Sequence, residues 1–414
     1  METINAPPRA ILVGVQLPAI DAPAHAASLE ELGNLVKTLG IEVIGAVSQK
    51  REALDSRTVL GKGRIAELAA MADGEGSNLV IVDHEITPSQ IRNIEQATGA
   101  QVLDRPGVIM EIFHRHARSR EAKLQVEMAR LTYQAPRLRE HSSGNERRQG
   151  PGSGESDLDL ERRAIRDRLA ELRHELEDIQ RESDRRRSGR RDQLRVALVG
   201  YTNAGKSSLM RALTGSEVLV ADQLFATLDT TVRALRPETT PRILVADTVG
   251  FIRKLPHDLV ASFRSTLAEA LEAALLLYVV DASDPTRRSQ LDVTREVLSE
   301  IGADSVAHIV VFNKIDRVND EDRAILREEH PDAVLLSSLR PEDGIVLRER
   351  IIAFFETTMV EERILLPYAK QALLRDVYAT MQVLSQDYVS EGLFLKVRAL
   401  PAAIARLLTA LAEA

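Results

Sequence analysis

The 414-residue chain has no cysteine and no tryptophan, and only 6 tyrosines and 8 phenylalanines. Without cysteine it forms no disulfide, no thiolate zinc site and no cysteine nucleophile, so any catalysis uses other side chains. The few aromatic residues argue against a single-strand binder built on stacking platforms. With 44% hydrophobic and 28% charged residues, the chain is long enough for two or three globular domains.

Long apolar runs are also missing. The longest, such as 273–280, are far shorter than the roughly 18 residues of a membrane span, and no basic segment precedes the short apolar run near the N-terminus. We therefore expect a cytoplasmic protein with no stable membrane insertion and at most a peripheral association with membranes. The formal net charge of −8 argues against a uniformly basic surface but leaves local basic patches open.

Strand-like and helical segments alternate over residues 1–106, which predicts an N-terminal α/β domain with a parallel sheet. The segments predicted as strands are Ala10 to Val15, Ile41 to Val47, Leu79 to Val82 and Gln101 to Leu103. Three helices are predicted between these strands: an Ala/Leu-rich helix that ends at Leu39, a second from Arg64 to Ala72 and a third from Pro88 to Thr98.

Residues 107–191 carry two apolar stripes at helical spacing, which predict an antiparallel helical hairpin. The first stripe, on one helix, comprises Met110, Phe113, Ala117, Leu124, Met128, Leu131 and Ala135. The second comprises Leu158, Ile165, Leu169, Leu172, Leu176 and Ile179. A Gly/Ser/Arg tip loop at about 136–154 is expected to be mobile. Residues 115–148 hold nine Lys/Arg against four Asp/Glu, which fits either phosphate contact or an ordinary solvated surface.

A second alternation spans 192–358, and its continuous apolar strands are typical of a parallel sheet covered on both faces. They are Arg195 to Val199, Ile243 to Ala246, Leu275 to Val280, His308 to Phe312 and Ala333 to Leu336. Residues 359–414 are predicted to form a small C-terminal α/β domain, with strand-like Ile364 to Pro367 and Phe394 to Val397 and helices over Ala369 to Leu384 and from Pro401.

The strongest motif lies between the first strand of 192–358 and a helix predicted over Ser207 to Leu213. It reads Gly200-Tyr201-Thr202-Asn203-Ala204-Gly205-Lys206-Ser207-Ser208 and matches the phosphate-binding loop. Backbone N–H groups and the helix N-terminus would cradle phosphates, Lys206 would reach the terminal ones, and the Ser207 hydroxyl would ligate Mg²⁺.

Three later motifs decide the base and the reaction. Asp247-Thr248-Val249-Gly250 places a carboxylate for magnesium and an N–H at Gly250 for the γ-phosphate. Asn313-Lys314-Ile315-Asp316 reads guanine, because the Asp316 carboxylate accepts from guanine N1–H and its amino group, a donor pair that adenine lacks. Ser337-Ser338 suits guanine O6. These motifs disfavour a P-loop kinase or a pure ATPase and predict a P-loop G domain with a mostly parallel sheet.

The segment between these motifs reads Phe225-Ala226-Thr227-Leu228-Asp229-Thr230-Thr231 and has the position of a switch. We predict Thr227 as its magnesium ligand, with Thr230 and Thr231 as competitors. The predicted metal set is Ser207, Thr227 and Asp247, and the predicted catalytic set is Lys206, Thr227 and Gly250. Phe251 stands where many GTPases have a water-orienting Gln, so hydrolysis should be slow unaided and depend on a partner.

Four other features are ambiguous. Asn203 resembles the potassium-coordinating asparagines of some GTPases, but a loop-shaping role fits equally well. Asp83-His84-Glu85 and His114-x-His116 contain metal-capable side chains, for which a structural role is favoured. Gly61-Lys62-Gly63-Arg64 is a lone Gly/basic turn that could hold a phosphate.

These motifs together resemble the HflX-type GTPases. The resemblance rests on 200–207, 225–229, 247–252 and 313–316, and on the upstream runs Val82-Asp-His-Glu, Val102-Leu-Asp-Arg-Pro-Gly and Lys123-Leu-Gln-Val-Glu. It implies a GTP/GDP- and Mg²⁺-dependent GTPase that binds the large ribosomal subunit and its rRNA through the N-terminal region and hairpin tip, and separates stalled or idle ribosomes. It also implies that the N-terminal domain can bind ATP. We expect a monomer with no DNA partner.

Two departures from the family pattern are visible. The tip reads Ser142-Ser-Gly-Asn-Glu-Arg-Arg-Gln-Gly-Pro-Gly-Ser-Gly-Glu-Ser-Asp-Leu-Asp, with fewer glycines and more charge than the family has, as in a divergent paralogue. Asp229-Thr230 replaces the usual Asp-Pro, which leaves the switch less rigid. With Phe251, the altered tip keeps an alternative open, a nucleotide-controlled RNA-binding regulatory switch with little hydrolysis of its own.

Overall fold

The computed structural model describes residues 8–141, 157–188, 194–216, 224–225, 230–254 and 271–412. The chain divides into two compact units. The first contains residues 1–180, 222–228 and 254–264, and the second contains 181–221, 229–253 and 265–414. Within the described part of the chain, no helix has the length and apolar character that crossing a membrane requires.

The first unit contains a four-stranded parallel sheet in the order β2-β1-β3-β4. Its strands are β1 (Arg9–Gln16), β2 (Glu42–Lys50), β3 (Leu79–Val82) and β4 (Gln101–Asp104). The crossover helices are α1 (Ala22–Thr38), α2 (Lys62–Gly74) and α3 (Pro88–Thr98). Thr87 caps α3 in a reciprocal capping box with Gln90, which explains why this helix begins where the sequence predicts. The predicted parallel α/β architecture is confirmed.

The helix predicted to carry the first apolar stripe is two helices, so the prediction of one continuous stripe is wrong. α4 (Arg105–His116) ends at Ala117 in an extended conformation, and α5 (Arg120–His141) begins after Ser119. The Ser119 hydroxyl accepts a hydrogen bond from the Ala122 N–H at 3.0 Å, which caps the new helix. Met110 and Phe113 are therefore buried residues of α4 and do not lie on the hairpin.

The hairpin consists of α5 and α6 (Asp157–Ser188). Ion pairs of 2.9 Å join Arg120 to Glu175 and Arg168 to Glu127, and this pairing order makes the two helices antiparallel, as predicted. Helix α5 continues through Pro136, where the sequence predicts the start of the tip loop. The turn after the proline is held because Arg137 donates to the Tyr133 carbonyl at 2.8 Å and pairs with Asp104 at 2.9 Å. The rest of the predicted tip, 142–154, lies outside the described residues.

The second unit contains a six-stranded sheet in the order β10-β9-β8-β5-β7-β6. Its strands are β5 (Leu194–Gly200), β6 (Thr231–Ala234), β7 (Ile243–Asp247), β8 (Leu275–Asp281), β9 (His308–Asn313) and β10 (Val334–Leu335). All neighbours are parallel except β6, which runs antiparallel to β7. The sequence prediction missed β6, because four partly exposed residues give no apolar run. The mostly parallel sheet is confirmed.

Among the described residues, four helices flank this sheet, and an apolar core that includes Val196, Leu209 and Leu347 lies under the first and the last of them. They are α7 (Lys206–Thr214), α8 (Arg287–Glu300), α9 (Asp320–Glu329) and α10 (Pro341–Thr358). Because β5, β7, β8 and β9 are parallel, their carboxyl ends meet at one edge of the sheet, where ligands of such sheets bind.

The C-terminal part is a three-stranded antiparallel sheet in the order β11-β13-β12, with a helix at its end. Its elements are β11 (Val360–Pro367), α11 (Leu374–Thr380), β12 (Gln382–Val389), β13 (Gly392–Ala399) and α12 (Pro401–Ala412). The helix predicted over Ala369 to Leu384 is therefore wrong at its C-terminal end. Residues from Gln382 onward pair with β13, so tertiary ladder formation outweighs the helical spacing of the apolar residues.

Candidate nucleotide-binding site

The predicted phosphate-binding loop connects β5 to α7 at the carboxyl edge of the six-stranded sheet. Gly205 lies at φ +93°, and a Cβ there would come within 2.1 Å of the Asn313 side-chain nitrogen. It is also the N-cap of α7 and supplies no side-chain cap, so the first turn of the helix presents its N–H groups to whatever lies in the loop. The loop therefore has the backbone of an anion cradle.

Lys206 is buried in this loop. Its ammonium donates to the carbonyl oxygens of Gly200 at 3.0 Å and Tyr201 at 2.8 Å. Burial lowers the pKa of Lys206 to about 8, although the charge of Asp247 works against the shift. A buried ammonium surrounded by carbonyl dipoles gains strongly from a polyanionic ligand.

Ser207 and Asp247 face each other across the site. The Ser207 hydroxyl donates to Asp247 Oδ2 at 2.8 Å, and Asp247 is fully buried at the end of β7. The next residue, Thr248, is fixed by a 2.7 Å bond from its hydroxyl to the Leu198 carbonyl. A hydroxyl and a carboxylate this close form the all-oxygen donor set that Mg²⁺ prefers, so these side chains fit that ion.

Gly250 lies directly against the phosphate-binding loop. A Cβ at Gly250 would come within 2.8 Å of Thr202 Cα and 2.9 Å of the Lys206 ammonium nitrogen. Phe251, the next residue, is almost wholly buried, and its N–H donates to the Gly200 carbonyl at 3.0 Å while its own carbonyl accepts from Thr202 at 2.8 Å. This pairing holds the residues after Asp247 beside the loop.

The residues predicted to read guanine lie at the ends of β9 and β10. Asn313 is fully buried, donates to the Ala204 carbonyl at 2.9 Å and accepts from the Ser338 N–H at 2.9 Å. Both ends of its amide thus bind protein loops, so Asn313 holds the loop of Ala204 and the loop of Ser338 together. We call this pair of hydrogen bonds the brace. Asp316 is exposed, and a hydrogen bond from Ser337 lowers the pKa of its carboxyl, which keeps it ionised as an acceptor.

Two residues that the sequence analysis did not single out support this arrangement. Asp281, at the end of β8, pairs with Lys314 at 2.7 Å, and Lys314 also donates to the Asn203 carbonyl at 2.7 Å. Asp343 accepts from the Ser337 N–H at 2.7 Å. The position of Asp281 at a strand's carboxyl end was the available signal, because parallel strands bring such residues to one edge.

The predicted switch is described only in part. Ala226, Thr227, Leu228 and Asp229 lie outside the described residues, so the role of Thr227 stays a prediction. Within the first unit, Phe225 is buried at φ +59° and packs edge-on against Phe113, with ring centroids 4.6 Å apart. Thr231 is fixed in the β6 ladder opposite Asp247.

Asp83 belongs to a buried charge cluster of the first unit. It pairs with Arg105 at 2.7 Å and Lys254 at 2.7 Å, and accepts from the Ser28 hydroxyl at 2.6 Å. Burial alone would raise the pKa of Asp83, but the two cations lower it overall. No group of three or more potential metal ligands occurs in the described part of the chain. The structural interpretation of Asp83-His84-Glu85 fits these contacts.

Comparison with known proteins covers the whole chain. Family models described as "GTP-binding GTPase N-terminal", "GTP-binding GTPase Middle Region" and "50S ribosome-binding GTPase" match residues 26–114, 116–190 and 195–314. The GTPase HflX of Gluconacetobacter diazotrophicus is 62% identical over the full length of both chains. That of Escherichia coli is 36% identical over 88% of this chain and 87% of its own.

Among solved structures, the chain is similar to a GTP-binding protein from the archaeon Sulfolobus solfataricus in complex with GDP. It is 25% identical, covers 84% of this chain and 98% of its own, and gives a TM-score of 0.44. The identity to the bacterial relatives is far above what a shared fold alone produces, and it extends over the N-terminal domain, the hairpin and the nucleotide site together. The chain therefore belongs to the HflX family of GTPases.

Proposed function

We propose that this GTPase binds the large ribosomal subunit and its rRNA, that the ribosome stimulates its hydrolysis of GTP, and that it dissociates stalled or idle ribosomes. The observation that carries the nucleotide part is the convergence of the phosphate-binding loop, Asp247, Gly250 and Asp316 at one edge of the sheet. The ribosomal part is supported by the family model for residues 195–314, whose description names 50S binding.

In this proposal the phosphates lie in the loop from Gly200 to Ser207. The Lys206 ammonium exchanges its carbonyl partners for phosphate oxygens and neutralises charge that develops during transfer. No side chain fits between Gly250 and Lys206, so the backbone of Gly250 lies directly against the loop. The Gly250 N–H is therefore the group that contacts the γ-phosphate. Thr227 closes over the same phosphate as the switch ligand.

Magnesium fits the Ser207 and Asp247 oxygens. When bound, Mg²⁺ supplies charge neutralisation to the β- and γ-phosphate oxygens. The contribution of the chain is to hold the two ligating side chains in place, through α7 for Ser207 and through the buried end of β7 for Asp247. Thr227 is the proposed third protein ligand.

The base is selected by Asp316, and Asn313 maintains the pocket around it. The exposed, ionised Asp316 carboxylate accepts two hydrogen bonds from guanine. The N–H groups of Ser337 and Ser338 donate to Asp343 and Asn313, so a contact from this segment to guanine O6 has to share or replace one of these bonds. Asn313 ties Ala204 and Ser338 together, so the loops that contact phosphate and base keep a fixed separation.

Two further ligands complete the proposal. Asn203 is exposed at φ +57° within the phosphate-binding loop, and its side chain is the proposed ligand of K⁺. The N-terminal domain is the proposed site for ATP, in line with the family resemblance. As a ribosome factor the protein would act in the cytoplasm, as a monomer.

The test is steady-state hydrolysis of GTP by the full chain, with and without isolated large subunits, in potassium and in sodium buffers. We expect strong stimulation by the subunit, and dissociation of 70S particles when the same mixture is followed by light scattering. Asp247→Asn should abolish the stimulated rate, whereas Asp304→Asn, a distant surface change, should leave it intact. Stimulation without dissociation would remove the splitting activity and keep the ribosome-bound GTPase.

The second candidate, an RNA-binding switch with little hydrolysis, is favoured by one observation. Phe251 is almost wholly buried, and a phenyl ring cannot orient water, so the position that carries a water-orienting Gln elsewhere supplies no such group. If large subunits failed to stimulate turnover while GTP changed the affinity of the protein for RNA, this second function would replace the first.

A further inference from the structure

A cavity of about 320 Å³ lies between α8, α9 and the end of β9 in the second unit. Its size falls at the lower end of small-molecule sites, which enclose roughly 300–1,000 Å³. None of the residues that line it belongs to the segments 200–208, 247–250, 313–316 or 337–338. The cavity is therefore separate from the candidate nucleotide site, and the proposed GTPase reaction does not use it.

The floor of the cavity is apolar and partly aromatic. Leu291 of α8, Phe312 of β9 and Leu326 of α9 line it, and all three side chains are buried. The His330 ring lies 5.0 Å from the Phe312 ring, at 47° to it. Such a floor favours a flat apolar group, because a flat ring can cover the leucine side chains and the phenyl ring together and exclude water from both.

The rim of the cavity carries three arginines, two of which form ion pairs with carboxylates. Arg288 forms an ion pair with Glu329, and Arg295 lies 3.6 Å from Asp292. Arg287 is half-buried on the same rim, and no carboxylate within ion-pair distance of it is found in the described part of the chain. Of the three guanidinium groups, this is the one available to an incoming anion.

The start of α8 places Arg287 at the rim of the cavity. Arg287 is the first residue of this helix, and its N–H donates to the Asp284 carbonyl at 3.1 Å. The N–H and the hydroxyl of Thr286 both donate to the Asp284 carboxylate at 2.7 Å. Asp284 therefore already binds the N–H groups at the helix start, and the charge offered to a bound carboxylate or phosphate is that of the Arg287 guanidinium.

We propose that this cavity binds a small organic anion with a flat apolar body. The body lies on Phe312, Leu291 and Leu326, and the acidic group pairs with the Arg287 guanidinium at the start of α8. Phe312 directly precedes Asn313 in the chain, so the floor of this site and the brace of the nucleotide site are consecutive residues of one strand.

The test uses 4-fluorophenyl phosphate, followed by ¹⁹F NMR on the full chain saturated with GDP, so that the phosphate-binding loop is already filled. We expect saturable binding, and much weaker binding of 4-fluorobenzyl alcohol, which has the ring without the charge. Inorganic phosphate, which has the charge without the ring, should fail to displace the probe at equal concentration. Absence of saturation up to millimolar probe, or full displacement by inorganic phosphate, would overturn the proposal.

Three variants locate the site. Arg287→Gln should weaken binding about tenfold through loss of the charge-assisted pair, whereas Arg327→Gln, on α9 but outside the cavity, should leave it unchanged. Glu329→Gln should strengthen binding, because it releases Arg288 toward the ligand, and a gain of affinity does not arise from misfolding. Equal binding by the Arg287 and Glu329 variants would show that the probe occupies another place.

Discussion

The side chain of Asn313 and the main chain of Ala204 are joined by a 2.9 Å hydrogen bond, from the amide nitrogen to the carbonyl oxygen. The other end of the same amide accepts from Ser338. The bond connects the segment proposed to bind guanine to the phosphate-binding loop, and both residues are buried. Loss of such a buried bond costs about 1–3 kcal/mol when its partners are left unsatisfied.

We therefore expect Asn313→Ala to weaken GDP binding on the order of 10- to 100-fold, since about 1.4 kcal/mol corresponds to a factor of ten. The preference for guanine over adenine should survive, because the brace does not contact the base edge. Isothermal titration with GDP and ADP measures both quantities. A variant that lost discrimination and kept its GDP affinity would assign base reading to Asn313 itself.

Asp316→Asn should change the base preference and leave the stability of the fold unchanged, the reverse of the effects expected for Asn313→Ala. The carboxamide no longer accepts two hydrogen bonds from guanine, but it can donate to the oxygen that xanthine carries in place of the guanine amino group. We expect GDP affinity to fall and xanthosine diphosphate affinity to rise, with thermal stability unchanged because Asp316 is exposed. Competition binding against a fluorescent nucleotide tests this, and unchanged selectivity would remove Asp316 from the base-reading role.

Gly205 and Gly302 offer a matched pair of glycines in the left-handed region. Both have positive φ, +93° and +83°, but a Cβ meets the Asn313 side chain at Gly205 and nothing within 4 Å at Gly302. Gly205→Ala should abolish nucleotide binding, whereas Gly302→Ala should cost only backbone strain of about 1 kcal/mol and leave binding intact. Similar binding by the two variants would mean that the close approach at Gly205 is unimportant.

We expect Lys206 to make the nucleotide affinity depend on pH. Its pKa is lowered to about 8, and bound phosphates favour the charged form, so the pKa rises on binding and the complex takes up a proton. Affinity should be constant below pH 7 and fall above pH 8, with a slope approaching roughly tenfold per pH unit. Titration calorimetry at pH 8.5 in two buffers of different ionisation enthalpy measures the uptake directly. Identical heats in the two buffers would place the lysine pKa well above 8.5.

Asn203→Gly separates the two interpretations of Asn203. Glycine adopts the φ of +57° at no cost, so the shape of the loop is kept while the side chain is lost. If the side chain ligates K⁺, as we propose, the variant should lose the difference between potassium and sodium buffers in its GTP hydrolysis rate. Retention of the full potassium effect would leave Asn203 as a loop-shaping residue.

We expect the buried cluster around Asp83 to contribute to the stability of the first unit. Arg105 is completely buried between Asp83 and Glu31, so Arg105→Met leaves two carboxylates short of a cation and should destabilise the unit by about 3 kcal/mol. Adding Asp83→Asn should recover part of that loss, because the stranded charge disappears. Urea unfolding of the single and double variants measures the coupling, and simple additivity would contradict it.

Local sequence signals predicted much of the fold. The strand Leu79 to Val82 and the helix Pro88 to Thr98 match the structure because an uninterrupted apolar run and a capping box act within a few residues. Strand β6 and the C-terminal strand β12 were missed, since partner strands distant along the chain stabilise them. The break between α4 and α5 has a local signal, since Ser119 is a residue that often caps helices. The helical spacing of the apolar residues on both sides of Ser119 nevertheless predicted one continuous helix.

The nucleotide motifs were visible because their spacing is fixed by phosphate and base geometry. Their internal support was not visible. The brace of Asn313, the pairing of Asp281 with Lys314 and the bond from Ser337 to Asp343 join residues far apart along the chain, so no local pattern reports them. The cluster of Asp83, Arg105 and Lys254 is of the same kind.

Helix α5 is held near the end that leads to the predicted hairpin tip. Its 22 residues run without interruption through Pro136 and extend about 33 Å at 1.5 Å per residue. Tyr133 and Arg137, in its C-terminal part, both bind the buried Asp104 at the end of β4, and Val126, nearer its start, is buried as well. The helix is thus fixed to its domain along its length and moves with it as one rigid rod. A rotation of that domain by 10° would carry one end of the rod by roughly 6 Å relative to the other.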